Sequence, residues 1–204
     1  MAQREALMAQ RVMLIKAPSA ITLSEGGALR PIALDPAVYT PVIDSLADGQ
    51  IRSLAELSAR LLTLSFGQLL EAVMVMTGRG DLVLAQDDAT IAQAKPCTTR
   101  LNQHVIASSV QSSQLHCLAS PVSGGSVLVQ PFHLQILAAR RRGLSTVAQW
   151  AAFLQNDLVT KGAGVTKPDG SLMSKEESLA ALTEMAQTFA HARLPCLQAL
   201  QTVE

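Results

Sequence analysis

Aromatic side chains are nearly missing from this 204-residue chain, which has one Trp, one Tyr and four Phe. A core with so few rings must be assembled from Leu, Val, Ile, Ala and Met, and aliphatic ridges of that kind favour packed helices. Charge is sparse as well. Lys plus Arg and Asp plus Glu number 16 each, for a formal net charge of zero. The basic excess with which nucleic-acid binders displace counterions from phosphates is therefore absent from the total. A hydrophobic content of 49% argues against disorder. The cysteines Cys97, Cys117 and Cys196 are an odd, widely spaced set, which predicts free thiols in a reducing compartment.

Long apolar runs are missing too. The first fifteen residues carry Arg4, Glu5 and Arg11, which fits neither a signal peptide nor a membrane span. Between Leu101 and Ala139 there is no Asp, Glu, Lys or Arg, yet Asn, Gln, Ser, Pro and Gly interrupt the stretch throughout. Such a segment does not read as a transmembrane helix. The chain is expected to be soluble and cytoplasmic.

Signatures of catalysis are equally scarce. His104, His133 and His191 stand alone, without H-x-x-x-H or C-x-x-C spacing. His116 and Cys117 are neighbours on a predicted strand, so their side chains point to opposite faces and cannot share an ion. Ser120 and Ser123 lie near His116 but in no G-x-S-x-G elbow. The expectation is no catalytic residue, no metal ligand and no cofactor-binding residue.

What the chain does have is clear punctuation. Residues 4–15 have the periodicity of a short amphipathic helix, within an N-terminal segment 1–19. Ala20–Leu23 and Ala28–Ile32 flank Gly26-Gly27 and predict a hairpin. Thr40-Pro41 predicts an N-cap and first helical position, with Val42, Ile43 and Leu46 apolar and Gly49 beyond the end. Ser53 with Glu56, and Ser65 with Gln68, predict capping boxes for two further helices; Leu64 can staple onto Leu69. The second of these stops at Gly78 or Gly80, before a strand at Leu82–Leu84. Three helices followed by a strand is the order of a winged helix, assigned to residues 20–90.

A second module is assigned to residues 91–204, after a polar link at Gln86–Thr90. It opens with a helix over Leu101–Val110, then strands at Leu115–Ser120 and Ser126–Gln130 about a Ser123-Gly124-Gly125 turn. Pro131 starts a helix whose last turn holds Arg140, Arg141 and Arg142 before Gly143. Ser145 is expected to cap a helix with the stripe Val147, Trp150, Ala151, Leu154 and Leu158. Pro168-Asp169-Gly170 makes a turn, Ser174 and Glu177 a capping box, and Pro195 ends the last helix. The predicted class is α+β, mostly α: a winged-helix module followed by a helical module with short β-hairpins.

The order of several short motifs resembles a known family. They are Leu101-Asn102, Leu118-Ala119-Ser120-Pro121-Val122 followed by Gly124, the helix ending at Gly143, Lys161-Gly162, Asp169-Gly170, Glu176-Glu177 and Arg193-Leu194-Pro195-Cys196-Leu197. Together they look like the C-terminal module of the regulatory-domain family of bacterial S-adenosylmethionine-dependent methyltransferases. Leu34-Asp35, Tyr39 and the stretch from Leu46 to Leu57 look like the winged-helix part ahead of it. The likeness covers nearly all residues after about 20. It implies a region that regulates a Rossmann-like catalytic domain; some relatives methylate lysines of bacterial proteins.

A methyl-donor site needs a glycine-rich loop between strand and helix, with an acidic residue about 20 positions on. None of Gly26-Gly27, Gly124-Gly125 or Gly162-Ala163-Gly164 has that setting. The expectation is a non-catalytic regulatory or substrate-recognition region, not an enzyme by itself. S-adenosylmethionine would sit on a partner catalytic domain, in cis or in trans, and a protein substrate is a further partner. Membrane contact is not expected and nucleic acid is disfavoured.

The candidate interaction surface comprises Ser120, Pro121, Gly124, Gly125, Arg140, Arg141 and Arg142. The turn residues read either as a shared turn shape or as a contact to catalytic domain or substrate. The arginines read either as cations at the negative end of a helix or as a dock for an acidic partner or an RNA. The alternative function is a winged-helix transcriptional regulator. Against it, the third helix, Phe66–Thr77, has no Lys or Arg to reach bases or phosphates. A more remote reading is an intact enzyme with an unrecognised site.

Overall fold

The computed structural model describes residues 2–25, 32–112 and 114–204. The protein is α+β and mostly helical. It forms two compact units: Met1–Lys95 with Pro121–Gly125 and Pro195–Glu204, and Pro96–Ser120 with Ser126–Leu194.

In the first unit a helix, α1 (Ala2–Met8), ends early and the chain enters strand β1 (Arg11–Leu14). This corrects the helix expected over 4–15. Val12, Met13 and Leu14 are all buried, which suits a strand covered on both faces, and β1 lies between two partners. Those partners are β4 (Arg52–Ser53) and β5 (Leu82–Ala85), both antiparallel to it, with Val12 opposite Arg52 on one side and Leu84 on the other. The expected Gly26-Gly27 turn lies outside the described residues. Beside it, β2 (Ser24–Glu25) pairs antiparallel with β3 (Ile32–Ala33), so the paired positions differ from those expected. Pro18–Ala20 is a short 3-10 turn.

Helix α2 runs Pro36–Leu46, five residues ahead of the expected start. Asp35 is its cap, accepting from the Ala37 N–H at 2.9 Å, and Pro36 takes the first turn. Pro41 is inside the helix, where its missing N–H costs a bond that the buried neighbours Val38, Tyr39, Val42, Ile43 and Leu46 offset. Helices α3 (Leu54–Arg60) and α4 (Phe66–Gly78) begin with the expected capping boxes at Ser53/Glu56 and Ser65/Gln68. Val12, Val42, Leu46, Leu57, Leu69, Val73, Met76 and Leu82 meet in one core.

The order α2, α3, α4, β5 is present. The strand that completes the sheet, however, is β1 from before the helices, and β5 leads almost directly into α5 (Asp88–Ser108). The polar link is thus the start of a helix: Asp87 accepts from the Thr90 N–H and hydroxyl at 2.9 and 2.7 Å. The helix expected over 101–110 is its latter part.

In the second unit, β6 (Cys117–Ser120) and β7 (Gly125–Leu128) form a hairpin, close to the predicted strands. Helix α6 (Pro131–Arg141) is buried continuously from Leu134 to Ala139. It packs against α7 (Val147–Thr160), which packs against α8 (Lys175–Thr188). The α7 cap is Thr146, not Ser145; Gln149 accepts from both backbone N–H groups. The Pro168–Gly170 turn and the Ser174/Glu177 capping box form as expected. Pro195 does not end the last helix. A π turn at Phe189–Arg193, with Leu194 N–H bonded to Phe189 O, leads into α9 (Leu194–Ala199). The wider turn relieves the clash between the Pro195 ring and the carbonyl one turn back.

Candidate functional site

The turn between β6 and β7 is built by close approach. Gln86 N–H donates to Val122 O at 2.8 Å, within the first unit. Gly124 has φ +68°, and a Cβ there would sit 2.9 Å from Gln86 Nε2. Glycine is therefore favoured by the left-handed backbone, and a Cβ would also make the end of the Gln86 side chain shift. Ser120 is 2% exposed and Pro121 and Val122 are also buried, whereas Gly124 and Gly125 are exposed. Of the turn residues expected to form a surface, only the two glycines reach one. The burial of Ser120 and Pro121 corrects that part of the expectation.

The arginines fall elsewhere. Arg140 and Arg141 occupy the last turn of α6 and Arg142 is its C-cap, where cations oppose the negative end of the helix dipole. Gly143 follows with φ +85°. Arg141 Nη1 donates to Gln103 O on α5 at 2.7 Å, and the Arg142 guanidinium lies 5.0 Å from the Phe153 ring centroid. Their partners are on α5 and α7, not on the turn.

Several polar residues escaped the sequence reading. Asn102 is 2% exposed and holds the backbone of β6: Nδ2 donates to Ala119 O at 2.8 Å, and Ala119 N–H donates to Oδ1 at 2.7 Å. In the first unit the Asp81 side chain is fully buried between two cations, Lys16 Nζ at 2.6 Å and Arg79 Nε at 3.2 Å. Arg79 also donates to Thr22 O at 2.8 Å. The only sequence signal for this cluster is an Asp in a Gly-Arg-Gly-Asp turn within a chain poor in charge.

In the second unit His133 is half-buried with its ring centroid 4.7 Å from that of Phe189. Burial, then the nearby Arg193 charge, push its pKa below the ordinary histidine value. These groups brace the backbone and the core. His116, by contrast, is exposed with Nδ1 3.1 Å from Gln114 O, while Ser120 is buried.

A dinucleotide or methyl-donor cradle requires a glycine loop opening a helix after a strand. Gly124 and Gly125 instead close a hairpin, and Gly162 follows the end of α7 with Gly164 facing Leu172. These residues do not fit S-adenosylmethionine. Among the described residues no group of three His, Cys, Asp or Glu is placed to hold a metal ion. Among the same residues no helix is long and apolar enough to cross a membrane. None of the three cysteines is in a disulfide.

The architecture is thus that of an α+β, mostly helical protein in which the polar residues singled out by geometry brace backbone. No protein-family model matches its sequence. An uncharacterized protein of Synechocystis sp. is 27% identical over 198 residues, which are 96% of this chain and 38% of that relative. The chain therefore spans well under half the length of the curated relative it matches. No solved structure matches.

Proposed function

We propose that this chain is a non-catalytic regulatory or substrate-recognition region of a bacterial S-adenosylmethionine-dependent methyltransferase, acting in the cytoplasm. The observation that carries the reading is the ordered series of motifs from Leu101-Asn102 to Arg193–Leu197. The Synechocystis relative adds support, because more than half of its length lies outside the shared stretch, which is there part of a longer protein. On this reading a Rossmann-like partner domain, in cis or in trans, binds the methyl donor, and this chain contributes contacts that shape access to it. Co-expression with a candidate catalytic domain from a neighbouring gene tests the idea. Co-purification with altered methyl transfer is expected; no co-purification together with unchanged methyl transfer would sink it.

A winged-helix DNA-binding regulator is the second reading, favoured by the α2, α3, α4, β5 order. The exposed positions of α4 weaken it: Gly67, Gln68, Glu71, Met74 and Gly78 offer a duplex no cation. A gel shift on genomic DNA at rising salt separates the two readings. Salt-sensitive retention of this chain would favour the regulator.

A further inference from the structure

From Ala89 to Asn156 the chain contains no Asp or Glu, while Lys95, Arg100, Arg140, Arg141 and Arg142 fall within it. The rest of the chain holds the other eleven Lys and Arg against all sixteen Asp and Glu. In the second unit, the charged side chains of α5 beyond Pro96, the hairpin, α6 and the start of α7 are therefore all cationic. The Arg141 bond to Gln103 O places the end of α6 against the middle of α5, where exposed Arg100 and His104 flank Gln103. Arg141 and Arg142 are exposed and Arg140 is half-buried.

Three arginines exceed what a helix end needs, since the dipole effect is confined to about one turn and is worth about 0.3–1 kcal/mol per exposed charge. Two of them are also held in place, Arg141 by the Gln103 carbonyl and Arg142 by the Phe153 ring. A guanidinium held in this way keeps further N–H donors for a ligand and has less side-chain freedom to lose on binding.

We propose that Arg100, Arg140, Arg141 and Arg142 form a docking face for an acidic polypeptide segment, whose carboxylates the guanidinium forks match in shape and charge. A nucleic acid fits less well. The residues outside 89–156 hold sixteen Asp and Glu against eleven Lys and Arg, so the chain as a whole has no basic excess to draw a long polyanion. The inference stands on charge placement and does not depend on the methyltransferase reading.

The test is fluorescence anisotropy on the full chain with three labelled probes: oligo-glutamate, oligo-lysine and oligo-thymidylate. Oligo-glutamate is expected to bind in preference to the other two and to weaken with salt. Arg100→Glu with Arg140→Glu, neither of which removes the Arg141 or Arg142 contacts, should weaken it about tenfold or more. Lys175→Glu on α8, outside this face, should leave binding within about twofold. If the double reversal fails to fold, as judged by circular dichroism, Arg100→Gln with Arg140→Gln carries the same test with a smaller expected loss. Four outcomes overturn the proposal: no oligo-glutamate binding, tighter binding of oligo-thymidylate, no loss in the arginine variants, or an equal loss in Lys175→Glu.

Discussion

Asn102 on α5 pairs with the backbone of Ala119 as a neighbouring strand would, giving and receiving one hydrogen bond at 2.8 and 2.7 Å. Strand β6 thus gains a partner on the side away from β7 without a third strand, and a single side chain ties the hairpin to the helix before it.

Asn102→Ala leaves the half-buried Ala119 N–H and C=O without this partner, at up to about 1–3 kcal/mol for each group. The expected loss is about 2–4 kcal/mol in urea-induced unfolding. Asn102→Asp keeps the acceptor and loses the donor, but adds a buried charge. It should therefore be no better tolerated than alanine at neutral pH.

At Gly124, alanine meets two obstacles. The φ of +68° costs a residue with a Cβ about 1–2 kcal/mol, and Gln86 must move from 2.9 Å. Adding Gln86→Ala removes the second obstacle only. A double-mutant cycle should therefore recover a minor part of the Gly124→Ala loss, because the end of a glutamine side chain shifts easily. Recovery of the whole loss would mean that the turn can change its backbone.

The Asp81 cluster predicts an order of sensitivity. Asp81→Asn removes the carboxylate charge that Lys16 and Arg79 share and should cost about 3 kcal/mol, while Arg79, whose side chain is 13% exposed, keeps its bond to Thr22 O. Lys16 is 41% exposed, so Lys16→Met should cost about 1 kcal/mol or less. Denaturant midpoints of the two variants check the ranking. Equal losses would place the cluster's weight on Lys16.

Two groups predict separate steps in the acid response. The folded-state pKa of His133 lies below its ordinary value of 6.5, first through burial and then through Arg193. Its contribution is complete above that value and is lost as the pH falls toward the folded pKa. His133→Gln should flatten the decline just below pH 6.5. Glu177 is held below its ordinary 4.5, first by the Lys167 hydrogen bond and then by the Ser174 N–H. Its contribution survives at neutral pH and fades only as acid passes below that value. Glu177→Gln should remove part of the late decline and leave the His133 step unchanged in melting curves taken from pH 7 to pH 3.

Which features were legible follows from how far apart the interacting groups lie. Ser53 and Glu56, Ser65 and Gln68, and Ser174 and Glu177 are three residues apart, so each capping box is complete within one turn and visible in the letters. Thr40-Pro41 misled because Asp35-Pro36 carries the same signature earlier, and a helix started there can absorb Pro41 once its face is buried. Arg11–Leu14 read as helix because the three apolar residues after Arg11 have no decisive period; its partners are Arg52–Ser53 and Leu82–Ala85. The place of Arg140, Arg141 and Arg142 at the end of α6 was legible, because Gly143 marks where that helix stops. The burial of Ser120 and Pro121 was not, because it depends on what packs over them.

By itself the sequence determined the helical character of the chain, the starts of α3, α4, α6 and α8, and the Pro168–Gly170 turn. All of these rest on bonds or patterns spanning a few residues. Only the tertiary structure decided that β1 is the central strand, that Asn102 holds Ala119, and that Asp81 is buried with Lys16, 65 residues away. Contacts across such separations come from the closing of the fold, and no local preference encodes them.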